Sequence, residues 1–519
     1  MKRMDYELMD KEVLCILDTR RIQRFLFRSN SFADSVGGSR LIAHILDDAI
    51  AFALRHIDTP LTDAEYDISN SPDAPVPYFE DENIKFQLLI SAAGNAMFIA
   101  RSGALAQKII RKISRYYLDC GYFLTLTAAA VEKTNHLGHD IGRLYDKLDR
   151  VKASASISEP LGALPVVMRE VRTGFPVVAF DAECRDYVSR ASEFRRHYVN
   201  SGKPIVEPSA LHTTRGADGK EYWAAIHADG NNFGITIGSI LQNSNDYAEG
   251  VRTRRQINQN IDSVYDRTFK KSLQDLVDFY VARGGNDGDF DREFFVTHRG
   301  GDDLNIIVNA NLAFPFLRFF YRNLEGETLW ETPKLKLPLY ISSGVAIVTR
   351  EFSYHQAIKV AEECCDSAKK EAKKKRNLRG GLAGNWIDYQ VSDNPNEQDL
   401  DMFREMYAVT RDGIRLTLRP YCLDREADKE DFSFKKLLQR AQAIRALKLA
   451  PREIAIMRDS YGMGKVKFRH WLAGQKKKGI DLIKVLGNPL RLDSEKQPCA
   501  TWFDAVELMD FLPQETEVL

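Results

Sequence analysis

The sequence is poor in the features that mark secreted, membrane-bound or strongly nucleic-acid-binding proteins. It has only seven cysteines in 519 residues, an odd number without paired metal-ligand spacing, which suits a reducing compartment. Neither sign of charge is in excess, because 73 Lys and Arg balance 73 Asp and Glu, so any nucleic-acid contact must come from local patches. The sequence shows no apolar run of bilayer-spanning length and no apolar signal core near Met1. We therefore expect a cytoplasmic protein without membrane contact.

The most informative segment is an acidic run between two strand-forming stretches. Asp302 and Asp303 directly follow Gly300 and Gly301. A Gly-Gly pair between such stretches predicts the turn of a β-hairpin. Adjacent carboxylates repel each other, and a divalent cation bound through oxygen atoms removes that cost. The run therefore predicts a Mg²⁺ or Mn²⁺ site and phosphoryl or nucleotidyl transfer, with a solvated surface turn as the simpler alternative.

A second candidate ligand, Asp229, ends the predicted strand Tyr222–Ala228. The turn continues with Gly230, Asn231, Asn232 and Phe233. An ordinary Asx turn is the alternative reading of this Asp. Strand, helix, hairpin, helix and strand follow one another here in the ferredoxin-like order, in which the first and third strands are adjacent. That adjacency predicts that Asp229, Asp302 and Asp303 meet at one edge of the sheet.

A helix predicted over Tyr354–Arg376 adds positive charge. Its apolar residues recur at helical spacing and would face the sheet. Lys369 and Lys373 lie in its final turns, and lysine suits phosphate as a point charge, so both are candidates for contact with a triphosphate. A solvated helix face, with cations near the helix C-terminus, is an equally good explanation.

The order of elements occurs twice, so we predict an internal duplication. Val13–Asp18 is a strand that ends in an acid, a helix follows near Ile42–Ala53, and Phe86–Ile99 forms a hairpin. Aligned without gaps, Gly94 and Asn95 occupy the positions of the two hairpin acids. Because an amide cannot replace a carboxylate's charge on Mg²⁺, we predict that the first copy holds no catalytic metal.

Four stretches together resemble the large polymerase/cyclase subunit of type III CRISPR systems, whose two palm domains are related to GGDEF cyclases. They are residues 18–27 with 36–39, residues 91–95, residues 229–234 with 300–303, and residues 342–347 followed by a helix over 361–370. The resemblance implies an α+β fold of two ferredoxin-like palm domains in a pseudo-dimer arrangement, with a C-terminal helical domain. We place the first, degenerate palm at 1–150, a connector at 151–220, the second, catalytic palm at 221–425 and the helical domain at 426–519.

By this resemblance the protein is a nucleotidyltransferase that condenses ATP into short cyclic oligoadenylate messengers in antiviral defence. Asp229, Asp302 and Asp303 would be catalytic, and with Gly230 they would hold two Mg²⁺ or Mn²⁺ ions. One ion would activate a ribose 3′-hydroxyl, and the other would neutralise the departing pyrophosphate. Nucleotide contacts are expected at Gly37, Gly38 and Ser39 in the first palm and at Asn231, Asn232, Phe233, Gly300, Gly301, Lys369 and Lys373.

The chain departs from the family pattern in three places. Relatives often carry a histidine–aspartate nuclease domain before the first palm, whereas here the first palm begins almost at Met1 and His139-Asp140 is a lone doublet. The interval between the palms offers only Cys184, so no zinc is expected. Asn231 stands where many relatives carry a second acid, which leaves the ligand set of the second metal open.

Two other functions stay open. A stand-alone cyclic dinucleotide synthase would use the same metal chemistry, because the choice of base depends on pocket contacts. A non-catalytic scaffold that organises guide RNA and other subunits is the second alternative, although it would need no clustered carboxylates. The expected partners are ATP and either CRISPR subunits with guide and target RNA or an effector that reads the messenger.

Overall fold

The computed structural model describes most of the chain. It covers residues 6–512 except residues 27, 30, 93, 122–123, 155–163, 183–184, 200–204, 206–207, 232, 242–245, 333–334, 376–383, 394–398, 428–429 and 493–496. Cys184 and Asn232, named above, therefore lie outside the described residues. The chain divides into two compact units, Met1–Glu207 with Asn232–Ser263 and Pro208–Asn231 with Val264–Leu519. Within the described part, no helix combines the length and the apolar character that crossing a bilayer requires.

The first unit contains strands and helices that follow the predicted order. Its strands are β1 (Val13–Arg20), β2 (Tyr66–Asp67), β3 (Phe86–Ala92), β4 (Asn95–Ala100), β5 (Thr125–Glu132), β6 (Val177–Asp181) and β7 (Asp186–Ser189). Its helices are α1 (Ile22–Leu26), α2 (Phe32–His56), α3 (Gly103–Tyr116), α4 (Leu137–Ser154), α5 (Arg190–Val199) and α6 (Phe233–Leu241). Helix α7 (Tyr247–Ala282) begins in this unit and ends in the second.

The sheet of the first unit has the strand order β2-β3-β4-β1-β5, with β1 antiparallel to both β4 and β5. Successive side chains of a strand point to opposite faces. Val13 and Cys15 of β1 accordingly pack in one apolar cluster with α2 and α3, whereas Leu14 and Ile16 pack in another with α4. The two helices that connect the strands, α2 and α3, thus cover one face of this sheet, and α4 packs on the other.

The second unit contains the longer of the two series of elements. Its strands are β8 (Thr214–Arg215), β9 (Glu221–Gly230), β10 (Phe294–Gly300), β11 (Asp303–Asn309), β12 (Thr328–Thr332), β13 (Leu335–Pro338), β14 (Ile341–Thr349), β15 (Trp386–Ser392), β16 (Tyr421–Cys422), β17 (Leu490–Leu492) and β18 (Pro498–Ala500). Its helices after α7 are α8 (Ala310–Leu324), α9 (Tyr354–Lys375), α10 (Leu400–Tyr407), α11 (Phe434–Ala446), α12 (Pro451–Gly462), α13 (Lys465–Lys477), α14 (Leu482–Leu486) and α15 (Phe503–Leu508).

The large sheet of the second unit has the order β10-β11-β9-β14-β15-β16. Strand β9 lies between β11 and β14 and is antiparallel to both, and β15 adds to β14 in parallel through α9. Gly344 of β14 allows α9 to lie close, because a Cβ there would be 1.8 Å from the carbonyl oxygen of Ala361 and 2.4 Å from the amide nitrogen of Cys365. The approach fixes α9, and with it the lysines near its C-terminus, against the sheet.

These observations confirm the α+β fold with two ferredoxin-like palms and a helical C-terminal part. The first palm's helix differs from its prediction, because α2 begins at Phe32 rather than near Ile42. Ser31 caps it by accepting a hydrogen bond from the backbone of Asp34, and burial of most of its length outweighs the cost of two interior glycines. The domain boundaries at 150, 220 and 425 stay predictions.

Candidate active site

The sheet register brings the predicted acids to one strand end. Ala228 of β9 lies opposite Leu304 of β11, so Asp229 and Asp303, the next residue along each strand, face each other at the sheet edge. Asp302 precedes β11 in the hairpin turn, where Gly301 has a φ of +59°, a conformation that favours glycine. The sequence therefore located this trio correctly at the end of adjacent strands.

The carboxyl of Asp302 is held inside the turn. Its Oδ2 accepts a hydrogen bond of 3.2 Å from the backbone N–H of Gly230, and its side chain also contacts the carboxyl of Asp229. Burial, together with the neighbouring charges of Asp229 and Asp303, raises the pKa of Asp302 to about 7. In the absence of a cation, Asp302 thus carries a proton at pH values where an exposed Asp would be ionised.

Asp303 lies between two histidines. Its Oδ1 is 3.6 Å from His227 Nδ1, and its Oδ2 is 3.5 Å from His298 Nε2. Oδ1 is shielded from solvent and has no hydrogen-bond partner, although the side chain as a whole is 40% exposed. An ionised oxygen in this state is costly, and it is a potential ligand for a cation.

Asp229 is engaged by a lysine from α9. Lys369 Nζ donates to Asp229 Oδ2. Burial alone would lower the pKa of Lys369, but the carboxylates of Asp229 and Asp302 outweigh burial and raise it. The second predicted lysine, Lys373, lies one turn further along α9 and is exposed. Lys369 therefore supplies positive charge at the point where the acids crowd together.

The three acids share an edge, but they do not form a closed cage. Among the described residues, no group of three or more His, Cys, Asp or Glu side chains is spaced to hold a metal ion. The reason lies in their current partners, because Asp229 turns to Lys369 and Asp302 turns to Gly230. The three carboxylates thus lie at a common strand end, as predicted, but they do not converge on a single point.

One further acid near this edge was not predicted from the sequence. Glu362 of α9 is half-buried, and its desolvation together with the charges of Asp303, Asp366 and Glu363 raises its pKa to about 8. Glu362 precedes Lys369 by seven residues, two helical turns, so the spacing that places Lys369 near the acids could also have indicated Glu362. His227 was detectable in the same way, because it precedes Asp229 by two residues in β9.

The remaining residues predicted to contact nucleotide lie in different elements of the structure. Asn231 is buried and its side chain is used within the domain, accepting from Ser342 Oγ at 2.9 Å and donating to the carbonyl of Gly384 at 2.9 Å. Gly300 ends β10, and Phe233 is the first residue of α6. The roles of these residues in binding nucleotide stay predictions.

The glycine motif of the first palm lies within α2. Gly37, Gly38 and Ser39 are all buried there. A Cβ on Gly38 would be 3.1 Å from Leu26 and 3.2 Å from Phe25, so this glycine serves the packing of α1 against α2. The predicted contact of the motif with an acceptor nucleotide is not addressed by this packing and stays a prediction.

The first palm repeats half of this constellation. Asp18 of β1 lies opposite Asn95, as Asp229 lies opposite Asp303, and the side chain of Asp18 pairs with Lys152 at 3.0 Å. Lys152 follows the first residue of α4 by fifteen positions, the same spacing that Lys369 has in α9. The acid–lysine pair is thus present in both palms, whereas both hairpin acids occur in the second palm alone.

Comparison with known families agrees with this geometry. Residues 222–378 match the family model described as Cas10/Cmr2, second palm domain. This segment is thus similar to the second palm domain of Cas10/Cmr2 proteins. The match confirms, for the segment that carries the acids, the resemblance to the large subunit of type III CRISPR systems. The matched residues contain the hairpin, the acid at the end of β9 and all of α9.

Solved structures similar to the chain are also Csm1 proteins. Csm1 of T. onnurineus is 15% identical, with 97% of this chain and 70% of that chain covered and a TM-score of 0.48. A Csm1–Csm4 cassette in complex with pppApApA is 14% identical over 98% of this chain and 71% of that chain, with a TM-score of 0.49. The cassette in complex with cA4 is 14% identical over 97% and 70%, with a TM-score of 0.44. No curated protein sequence matches the chain.

Proposed function

We propose that this protein is a metal-dependent nucleotidyltransferase that converts ATP into short cyclic oligoadenylates in a type III CRISPR-like antiviral response. The observation that carries the proposal is the meeting of Asp229, Asp302 and Asp303 at one strand end of the segment that is similar to the Cas10/Cmr2 second palm domain. Such relatives occur in complexes with Csm4 and with cA4, which makes a comparable subunit and product the natural candidates here.

The donor set of this edge fits a hard divalent cation. Mg²⁺ and Mn²⁺ prefer carboxylate and carbonyl oxygens, and this edge offers three carboxylates, one of which accepts a hydrogen bond from the backbone N–H of Gly230. The shielded Oδ1 of Asp303, which has no hydrogen-bond partner among the described residues, and the raised pKa of Asp302 both favour the binding of a cation here. Bound there, such an ion would polarise the reacting phosphate and lower the pKa of an attacking ribose hydroxyl.

The lysines of α9 have a place in the same scheme. Lys369 forms an ion pair with Asp229. A metal ion on Asp229 would compete for the same carboxylate, and a triphosphate would offer Lys369 an alternative anionic partner. We propose that Lys369 exchanges Asp229 for a phosphate when nucleotide binds, and that exposed Lys373 provides a second phosphate contact.

The test is a product analysis of the purified full chain with ATP and Mn²⁺. Chromatography should reveal pyrophosphate and oligoadenylates for the wild type and neither for Asp302→Asn. The matched control is Asp18→Asn, which changes the corresponding position in the palm that lacks hairpin acids, and it should keep product formation. Absence of pyrophosphate from the wild type, even with target RNA and partner subunits added, would favour a scaffold.

Product identity separates the two enzymatic alternatives. Mass spectrometry of reactions with each single NTP and with mixtures would give cyclic oligoadenylates if ATP is the substrate. A cyclic dinucleotide containing another base would support the alternative of a stand-alone cyclic dinucleotide synthase. The same acids would serve both reactions, so both outcomes are compatible with metal binding by these acids. Only the formation of cyclic oligoadenylates would support ATP as the proposed substrate.

A further inference from the structure

A polar row lies directly beneath the acidic edge in the second palm. His298 of β10 is opposite Asn305 of β11, and Asn305 is opposite His227 of β9. His227 Nδ1 donates to Asn305 Oδ1 at 2.8 Å. Each histidine also approaches one oxygen of Asp303, at 3.6 Å for His227 and 3.5 Å for His298. Each histidine thus lies beside one oxygen of an acid proposed to bind metal, within 4 Å but beyond hydrogen-bond length.

A β-bulge is the reason that His298 belongs to this row. The register of β10 and β11 shifts between Val296 and His298, so Thr297 is an extra residue. Without this extra residue, alternation would place Thr297 opposite Asn305 and turn His298 to the other face of the sheet. The hairpin is therefore shaped so that His298 reaches Asp303.

The first palm provides an internal comparison. Its hairpin has a bulge at the corresponding place, between Leu88 and Ile90. The corresponding row there consists of Ile90, Met97 and Ile16, which are 5%, 5% and 1% exposed and pack in one apolar cluster with α4. The bulged hairpin can therefore form over an apolar row, and this palm is also the one without hairpin acids. Packing alone does not account for the polar row.

We propose that His227 and His298 are positioning residues that hold the carboxylate of Asp303 in its metal-binding orientation, with Asn305 fixing the ring of His227. This inference rests on the proposed function, because it assumes that Asp303 binds a divalent cation. Groups that orient a metal ligand without touching the metal typically change metal affinity 10- to 100-fold when they are removed. The histidines act on Asp303 and not on the substrate.

The experiment replaces the row with the residues of the first palm. In His227→Ile and His298→Ile, the affinity for Mn²⁺ is measured by electron paramagnetic resonance with a non-hydrolysable ATP analogue present. We expect the Kd for Mn²⁺ to rise about 10-fold or more in each variant. His227→Asn and His298→Gln place an amide nitrogen near the lost ring nitrogen, and they should recover most of the affinity. Circular dichroism and thermal unfolding check the fold, and His227→Ala or His298→Ala replaces the corresponding Ile variant if that variant fails to fold.

Two further variants separate the possible failures. Exposed His470 of α13 is the matched control, and His470→Gln should bind Mn²⁺ as the wild type does. Asp303→Asn should abolish tight binding. If Asp303→Asn binds Mn²⁺ normally, the metal assignment and the proposed function fail. If Asp303→Asn weakens binding while the folded apolar variants of both histidines match the wild type, the positioning role is refuted and the proposed function stands.

Discussion

Replacing Asp302 with Asn should stabilise the metal-free protein while abolishing product formation. The folded protein raises the pKa of Asp302 from 3.8 to about 7, so ionising this carboxyl opposes folding. The asparagine carries no charge, can still accept the hydrogen bond from Gly230 and can donate one to Asp229. The stability gain is the cost that the wild type bears for keeping three carboxylates together without a cation.

The pH dependence gives the magnitude and the sign. Because the folded-state pKa is the higher one, the folded protein retains a proton that the unfolded chain releases between pH 3.8 and about 7. Wild-type stability therefore falls as the pH rises through this window and levels off above it. At 1.36 kcal/mol per pKa unit, the gain from Asp302→Asn has an upper limit of about 1.5 kcal/mol at pH 5 and about 4 kcal/mol at pH 8.

The assay is urea unfolding of wild type and Asp302→Asn in EDTA at both pH values. Adding Mn²⁺ should stabilise the wild type more than the variant, because ligand binding to the folded state adds stability. Asp18→Asn is the control, since it breaks the ion pair with Lys152 and should give no gain. A variant that is less stable than the wild type at pH 8, or a gain that does not grow with pH, would refute the reasoning.

Three other substitutions test separate parts of the second palm and its surroundings. Lys369→Met should lower pyrophosphate release about 10-fold or more while leaving Mn²⁺ binding intact, because the carboxylates remain; equal turnover by both proteins would contradict a phosphate contact. Gly344→Ala should lower the free energy of unfolding by about 3 kcal/mol in a urea titration, since its Cβ would lie 1.8 Å from a backbone carbonyl oxygen of α9. Gly142→Ala in α4 is the control, because its Cβ meets no atom within 4 Å, and it should be neutral or stabilising in the same titration. Arg404→Leu removes the partner that contacts both oxygens of fully buried Asp388 at 2.8 and 2.9 Å, so it should lower the free energy of unfolding by about 3–5 kcal/mol. An unchanged unfolding midpoint would show that this ion pair is dispensable for stability.

The strand order and the location of the acids were accessible from the sequence because both depend on local patterns. Apolar runs that end in Asp18 and Asp229, together with small-residue turns between strand formers, predict the elements and their order. The ferredoxin-like order then places the first and third strands side by side, whatever the surrounding side chains are. The start of α2 was missed for the opposite reason, because Gly37 and Gly38 weaken the local helical signal and the packing that compensates for them is tertiary.

The state of the acids was decided by the tertiary structure alone. The pKa of Asp302 depends on burial and on charges that lie about seventy residues away in the chain. The contact of Lys369 with Asp229 depends on how closely α9 approaches the sheet at Gly344. The bulge that turns His298 toward the acids breaks the two-residue alternation from which the facing of strand residues is predicted. The sequence therefore determined which groups are present, and the folded backbone determined which of them meet.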